Sequence, residues 1–212
     1  MNPPSAPGAA AGILLAAGAG KRMGGPKALI VGADGEGWLH RGVRVLLEAG
    51  CDPVVVVLGA SADDAAELLR AGYASELASG RVRIAVAAGW AEGLGASLRT
   101  GIAAVRALPA VPLSSVSAVS AVSAVAITLV DLPGLEVAAV QRVLQGAGPR
   151  TLRQAFYEGR PGHPVVVGAE HLPDLAEALA GDEGARPYLR AHGVEEVDCT
   201  DLGGGSDVDT PG

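Results

Sequence analysis

The chain has few aromatic residues, few cysteines and no excess of positive charge, and each shortage narrows the field. Aromatics are 3% of its 212 residues, so a core must be built from Ala, Val and Leu. Sixteen Lys and Arg stand against 23 Asp and Glu, a formal net charge of −7. A protein that lives on nucleic-acid phosphates shows a basic footprint instead, so no nucleic-acid partner is expected. The acidic balance leaves room for a small phosphate ligand, which a few local cations and backbone amides can hold. The two cysteines, Cys51 and Cys199, lack metal-like spacing and make no disulfide framework, so the reducing cytoplasm is the expected location. No apolar run reaches membrane-spanning length, and the opening residues MNPPSAPGAA carry no signal-peptide pattern; they read as a short disordered lead.

What is present is a run of short apolar segments alternating with amphipathic ones. The length fits one α/β domain over residues 11–212, and 49% hydrophobic residues suffice for its core. Strands are expected at Gly12–Ala16 (GILLA), Val54–Leu58 (VVVVL), Val82–Val86 and Val125–Val130. Helices are expected at Trp38–Ala49, from an N-cap at Ser61 to about Arg70, and at Leu94–Ala107. Gly50 is placed to end the first of them. Such alternation implies βαβ units, a mainly parallel sheet and a three-layer α/β/α sandwich. In the last third, strands are expected at Thr151–Phe156, Pro164–Val167 and Val194–Val197, with mixed directions, and helices at Leu172–Ala180 and Gly184–His192. Residues 114–124, SSVSAVSAVSA, repeat every three residues, which fits neither a helix face nor a strand face; they read as a low-complexity loop.

The most informative segment is Leu14–Lys27, LLAAGAGKRMGGPK. A strand ends, glycines follow, and two cations, Arg22 and Lys27, close the loop. Glycines let several backbone N–H groups converge on one anion. Arg22 can grip two oxygens, while Lys27 acts as a point charge. Two common phosphate loops are excluded. The dinucleotide fingerprint needs a third glycine where Met23 stands, and the P-loop needs Ser or Thr where Arg22 stands. Farther on, Asp131 follows a strand and precedes Leu132-Pro133. That puts an acid at the carboxyl end of a parallel strand, where ligands bind and where Asp can hold Mg²⁺ against a phosphate.

The loop resembles the pattern L-A-A-G-x-[GS]-x-R-M-G-x-P-K of the nucleotidyltransferases that make molybdenum-cofactor dinucleotides, through Leu15, Ala16, Ala17, Gly18, Gly20, Arg22, Met23, Gly24, Pro26 and Lys27. Asp131-Leu132-Pro133 resembles the family's D-x-P, and Asp207-Val208-Asp209-Thr210-Pro211 its D-[IV]-D-T-P. Trp90–Leu98 is similar to W-x-x-G-[ML]-x-x-S-L, without the Asn that usually precedes the Trp. Gly159–Pro164 and Gly181–Arg186 resemble the G-x-x-G-H-P and G-D-x-G-A-R of the cytidylyltransferase branch.

The resemblance implies the nucleotide-diphospho-sugar transferase type of Rossmann-like fold, with a nucleotide-binding half at about 11–133 and an acceptor-binding half at about 134–212. It implies transfer of a nucleoside monophosphate from a nucleoside triphosphate, CTP by preference, to a phosphorylated small acceptor such as molybdopterin. Pyrophosphate would leave, Mg²⁺ would be the cofactor, and a molybdoenzyme or its chaperone would be a candidate partner. Arg22, Lys27 and Asp131 would be catalytic. Leu15, Ala16, Ala17, Gly18, Gly20, Lys27, Gly59 and Ser97 would meet the nucleotide, with Ser97 as a helix cap being the plainer reading. His163, Asp182 and Arg186 would meet the acceptor, and Asp131 with Asp209 would hold the metal. Two alternatives stay open: an NAD(P)H-dependent oxidoreductase of the nicotine blue type on the same architecture, and a non-catalytic nucleotide-binding module.

Overall fold

A computed structural model describes residues 9–108 and 122–208. Seven strands form one sheet: β1 (Ala10–Ala16), β2 (Val54–Leu58), β3 (Val82–Val86), β4 (Ala124–Leu129), β5 (Leu152–Tyr157), β6 (Arg160–Gly168) and β7 (Glu195–Asp198). Their order is β3-β2-β1-β4-β6-β5-β7. The first four pair in parallel; β6 runs against both β4 and β5, and β7 is parallel to β5. The helices are α1 (Trp38–Glu48), α2 (Ala62–Gly72), α3 (Ala74–Ser79), α4 (Leu94–Arg106), α5 (Val137–Leu144), α6 (Leu172–Ala178) and α7 (Arg186–Ala191).

The pleat explains the layers. Along β1, Leu14 and Ala16 face one helical layer and Ala11, Ile13 and Leu15 the other, so every residue of GILLA past the glycine is buried. The first layer takes apolar residues of α1, α2 and α5; the second takes those of α4, α6 and α7. This is the three-layer α/β/α sandwich. With β1 central and flanked by β2 and β4, its carboxyl end opens beside theirs, and that edge carries the candidate site.

Four expectations change. α3 and α5 are additional helices, and β6 begins four residues before Pro164 because it pairs with β5 as well as β4. Ser61 does occupy the cap position of α2, but in a left-handed backbone conformation (φ 54) that gives its hydroxyl no capping hydrogen bond. The low-complexity loop lies outside the described residues except for its last three. No helix among the described residues is long and apolar enough to cross a membrane.

Candidate active site

β1 ends in a loop that ties itself shut. The Gly20 carbonyl accepts the N–H of Met23 at 2.8 Å and of Gly25 at 3.3 Å. Gly20 has φ 57, and a Cβ there would lie 1.9 Å from the Gly25 carbonyl oxygen, so only glycine fits. Two 3-10 turns follow, Lys21–Met23 and Lys27–Leu29, and no α-helix starts until Trp38. Among the described residues, the N–H groups of Gly18, Ala19, Gly20 and Lys21 take no hydrogen-bond acceptor. Four bare amides at the end of a buried strand are a place for phosphate oxygens.

Across the sheet edge, Val130 N–H donates to the Leu15 carbonyl at 3.0 Å and carries the β1–β4 pairing up to Asp131. Lys27 Nζ donates to Asp131 Oδ2 at 2.7 Å, with the two side chains 14% and 18% exposed. Asp131 Oδ1 is buried and has no partner among the described residues. A cavity of about 520 Å³ joins these parts: Arg22, Lys27 and Asp131 all line it, with Trp90, Leu94 and Ser97 on the facing side.

Most of the nucleotide-contact candidates line this cavity, namely Leu15, Ala17, Gly18, Gly20, Lys27 and Ser97. Ala16 and Gly59 do not. Ala16 points into the opposite core layer, since β1 alternates. Gly59 is a packing glycine: a Cβ would come within 2.6 Å of the Ala17 carbonyl oxygen and 2.7 Å of Trp90 Cβ. Ser97 is buried inside the first turns of α4, whose cap position is Gly93, so it does not cap that helix. Asp209 lies outside the described residues; the chain is followed to Val208, whose N–H donates to the Asp131 carbonyl at 3.0 Å.

A second cavity, about 640 Å³, adjoins the first through Leu15, Leu94, Leu129 and Asp182. His163, Asp182 and Arg186 all line it, as do Gln154 and Arg190, which no motif singled out. Arg190 had a signal available, four residues beyond Arg186 on one helix face. His163 Nδ1 lies 3.2 Å from the Ile127 carbonyl. Burial pulls its pKa below the ordinary value, against opposing pulls from that carbonyl, Asp131 and Asp207. Asp182 sits on the border, where its Oδ1 accepts the Leu94 N–H at 3.3 Å at the start of α4. Gly93 makes this approach possible, since a Cβ there would lie 2.4 Å from that oxygen.

Comparison with known proteins bears on this arrangement. The family model described as MobA-like NTP transferase domain matches residues 12–197. The nicotine blue oxidoreductase of Paenarthrobacter nicotinovorans is 37% identical over 209 residues, which cover 94% of this chain and 91% of that protein. The crystal structure of Rv0371c from Mycobacterium tuberculosis H37Rv superposes with a TM-score of 0.70 at 28% identity, covering 97% of this chain and 95% of that one. The same protein in complex with manganese gives a TM-score of 0.63 at 26% identity, over 90% and 88%.

Proposed function

Because the chain belongs to the MobA-like NTP transferase family, we propose that it transfers a nucleoside monophosphate from a nucleoside triphosphate to a phosphorylated small molecule held in the second cavity. The observation that carries this reading is the shared cavity, in which bare loop amides, Arg22, Lys27 and the half-satisfied Asp131 carboxylate face one space. The loop amides bind the triphosphate, and Arg22 and Lys27 offset its charge. His163, Asp182, Arg186 and Arg190 stand where an acceptor would be oriented. An acceptor phosphate is already ionised, so its oxygen can attack the α-phosphorus without a general base, and the β–γ pyrophosphate leaves in line.

The residues fit a hard divalent cation. Asp131 offers a buried oxygen with no other partner among the described residues. Mg²⁺ is commonly held by one or two carboxylates plus substrate phosphates, and the Asp131 carboxylate lines the same cavity as the loop amides. When bound, such a cation supplies neutralisation of the charge that develops on the leaving pyrophosphate. Asp209 stays a proposed second ligand, CTP the proposed donor, molybdopterin the proposed acceptor, and the cytoplasm the proposed location.

A second reading has its own support. The 37% identical relative is named a nicotine blue oxidoreductase, and likeness along nearly the whole sequence supports an activity of that kind. In this reading a nicotinamide dinucleotide lays its pyrophosphate on the same amides and passes hydride to a pigment in the second cavity. The loop geometry favours transfer, since it lacks the helix start that a dinucleotide fingerprint supplies directly after the strand.

One set of assays separates the two. Pyrophosphate release is measured with CTP, GTP or ATP, Mg²⁺ and a phosphorylated acceptor, beside oxidation of NADH or NADPH with the dye. Transfer predicts pyrophosphate release that Asp131→Ala lowers on the order of 100-fold or more. Dye-dependent oxidation without pyrophosphate release, unchanged by Asp131→Ala, would establish the second reading.

A further inference from the structure

After β7 the chain returns to the cavity edge over a bed of glycines. Gly203 (φ 65) and Gly204 (φ 78) turn it out of the 3-10 segment Thr200–Leu202. At Gly204 a Cβ would stand 1.9 Å from the Gly134 carbonyl oxygen, so the two backbones touch. At Gly205 a Cβ would stand 2.2 Å from Cδ2 of Tyr157, so this backbone lies flat on the ring. Gly162 approaches the same ring edge, where a Cβ would meet Cδ2 at 2.8 Å. The Tyr157 hydroxyl donates to the His163 carbonyl at 2.8 Å, which fixes the ring's plane. Burial pushes that phenol up to about 12, so it remains a donor across the physiological range. Three residues past Gly205, the Val208 N–H reaches the Asp131 carbonyl.

These contacts form one chain, from the His163 carbonyl to the Tyr157 ring, to Gly205, along the backbone to Val208, and to Asp131. We propose that Tyr157 is a positioning residue for the candidate active site: its ring, with Gly162 and Gly205 packed on it, seats residues 203–208 so that the Val208 N–H holds the backbone of Asp131, the residue whose carboxylate faces the cavity. The proposal rests on the metal-dependent reading above. A ring that only filled the core would need neither two glycines flush against it nor a hydroxyl tied to the second cavity's histidine. The same ring holds the acceptor side through His163 and the cation side through the tail, and so sets their relative positions.

The test uses the full chain with Gly205→Ala, Tyr157→Leu and Tyr157→Phe. Two readouts are taken: hydrogen exchange of the 203–208 amides, and Mn²⁺ affinity by electron paramagnetic resonance, with and without nucleotide. Gly205→Ala and Tyr157→Leu are expected to speed tail exchange and weaken Mn²⁺ on the order of tenfold, the scale of a lost ligand-orienting contact. In steady-state assays KM for the metal–nucleotide complex rises more than kcat falls. Tyr157→Phe keeps the ring but removes the hydroxyl that fixes its plane, and is expected to fall between wild type and Tyr157→Leu in both readouts. A folded Gly205→Ala with unchanged tail exchange overturns the seating. Faster exchange with unchanged Mn²⁺ affinity overturns the positioning role. A wild-type protein that binds no Mn²⁺ overturns the metal-dependent reading, and the exchange data then show separately whether the ring seats the tail.

Discussion

At the scale of single residues the site turns on atoms with no slack. Gly20 is the sharpest case, because a methyl group at its position collides with backbone and demands a left-handed residue at the same time. Gly20→Ala is expected to cost about 1–3 kcal/mol of local strain. It should weaken nucleotide binding at least tenfold, measured by calorimetry, while the circular dichroism spectrum stays that of wild type. His163 gives a pH test. Its half-buried ring is held below the ordinary value of 6.5, so it is neutral in the folded protein at neutral pH. Below about pH 6.5 the unfolded chain takes up a proton that the folded site refuses, so this stability is present above that pH and is lost as pH falls through the folded value. Asp131 and Asp207 favour that proton and Arg186 opposes it. Thermal denaturation from about pH 8 to about pH 5 should therefore show a steeper loss for wild type than for His163→Gln. These residues were legible in the sequence because each stands in a motif whose spacing carries chemistry. Gln154 stands in none, and Trp90 was legible only as part of a family stretch; both reach a cavity because of how strands and turns pack.

At the scale of elements, β1 is clamped from both faces by helical glycines. On α1, a Cβ at Gly42 would meet Leu14 Cδ1 at 2.8 Å; on α4, a Cβ at Gly101 would meet Ile13 Cγ2 at 2.9 Å. Leu14 and Ile13 are fully buried and cannot swing away. Gly42→Val and Gly101→Val should each destabilise the protein by about 1–3 kcal/mol through overpacking. On opposite faces of the sheet their effects should add to within about 0.5 kcal/mol in denaturant titrations. A strong deviation from additivity would show that β1 does not separate the two layers. Much of the element order was readable for the reason that makes this clamp work: VVVVL and GILLA are unbroken apolar runs, and only a strand covered on both faces uses one. What escaped was short. α5 carries Ala139, Val140 and Val143 at helical spacing, but over only eight residues behind Asp131-Leu132-Pro133. α3 is cut from α2 at Tyr73, so its six residues show no period of their own. The early start of β6 was hidden by Pro161 and Pro164, residues that ordinarily argue against a strand interior.

At the scale of the whole molecule, the sheet gives the two cavities a common wall and the fold a ligand-dependent stability. A nucleotide at 100 times its Kd should raise the unfolding free energy by about 2.7 kcal/mol. A chain of this size then melts several degrees higher. Comparing CTP, GTP and ATP with Mg²⁺ against NADH and NADPH ranks the bases and the two chemistries in one melting series. Equal indifference to all five would remove the nucleotide from the account. Asp182, which holds the start of α4 while bordering both chambers, implies heterotropic linkage. A ligand in one chamber that shifts this carboxylate is expected to change the setting the other chamber presents. Thermodynamic reciprocity then requires each ligand to change the other's affinity by the same factor.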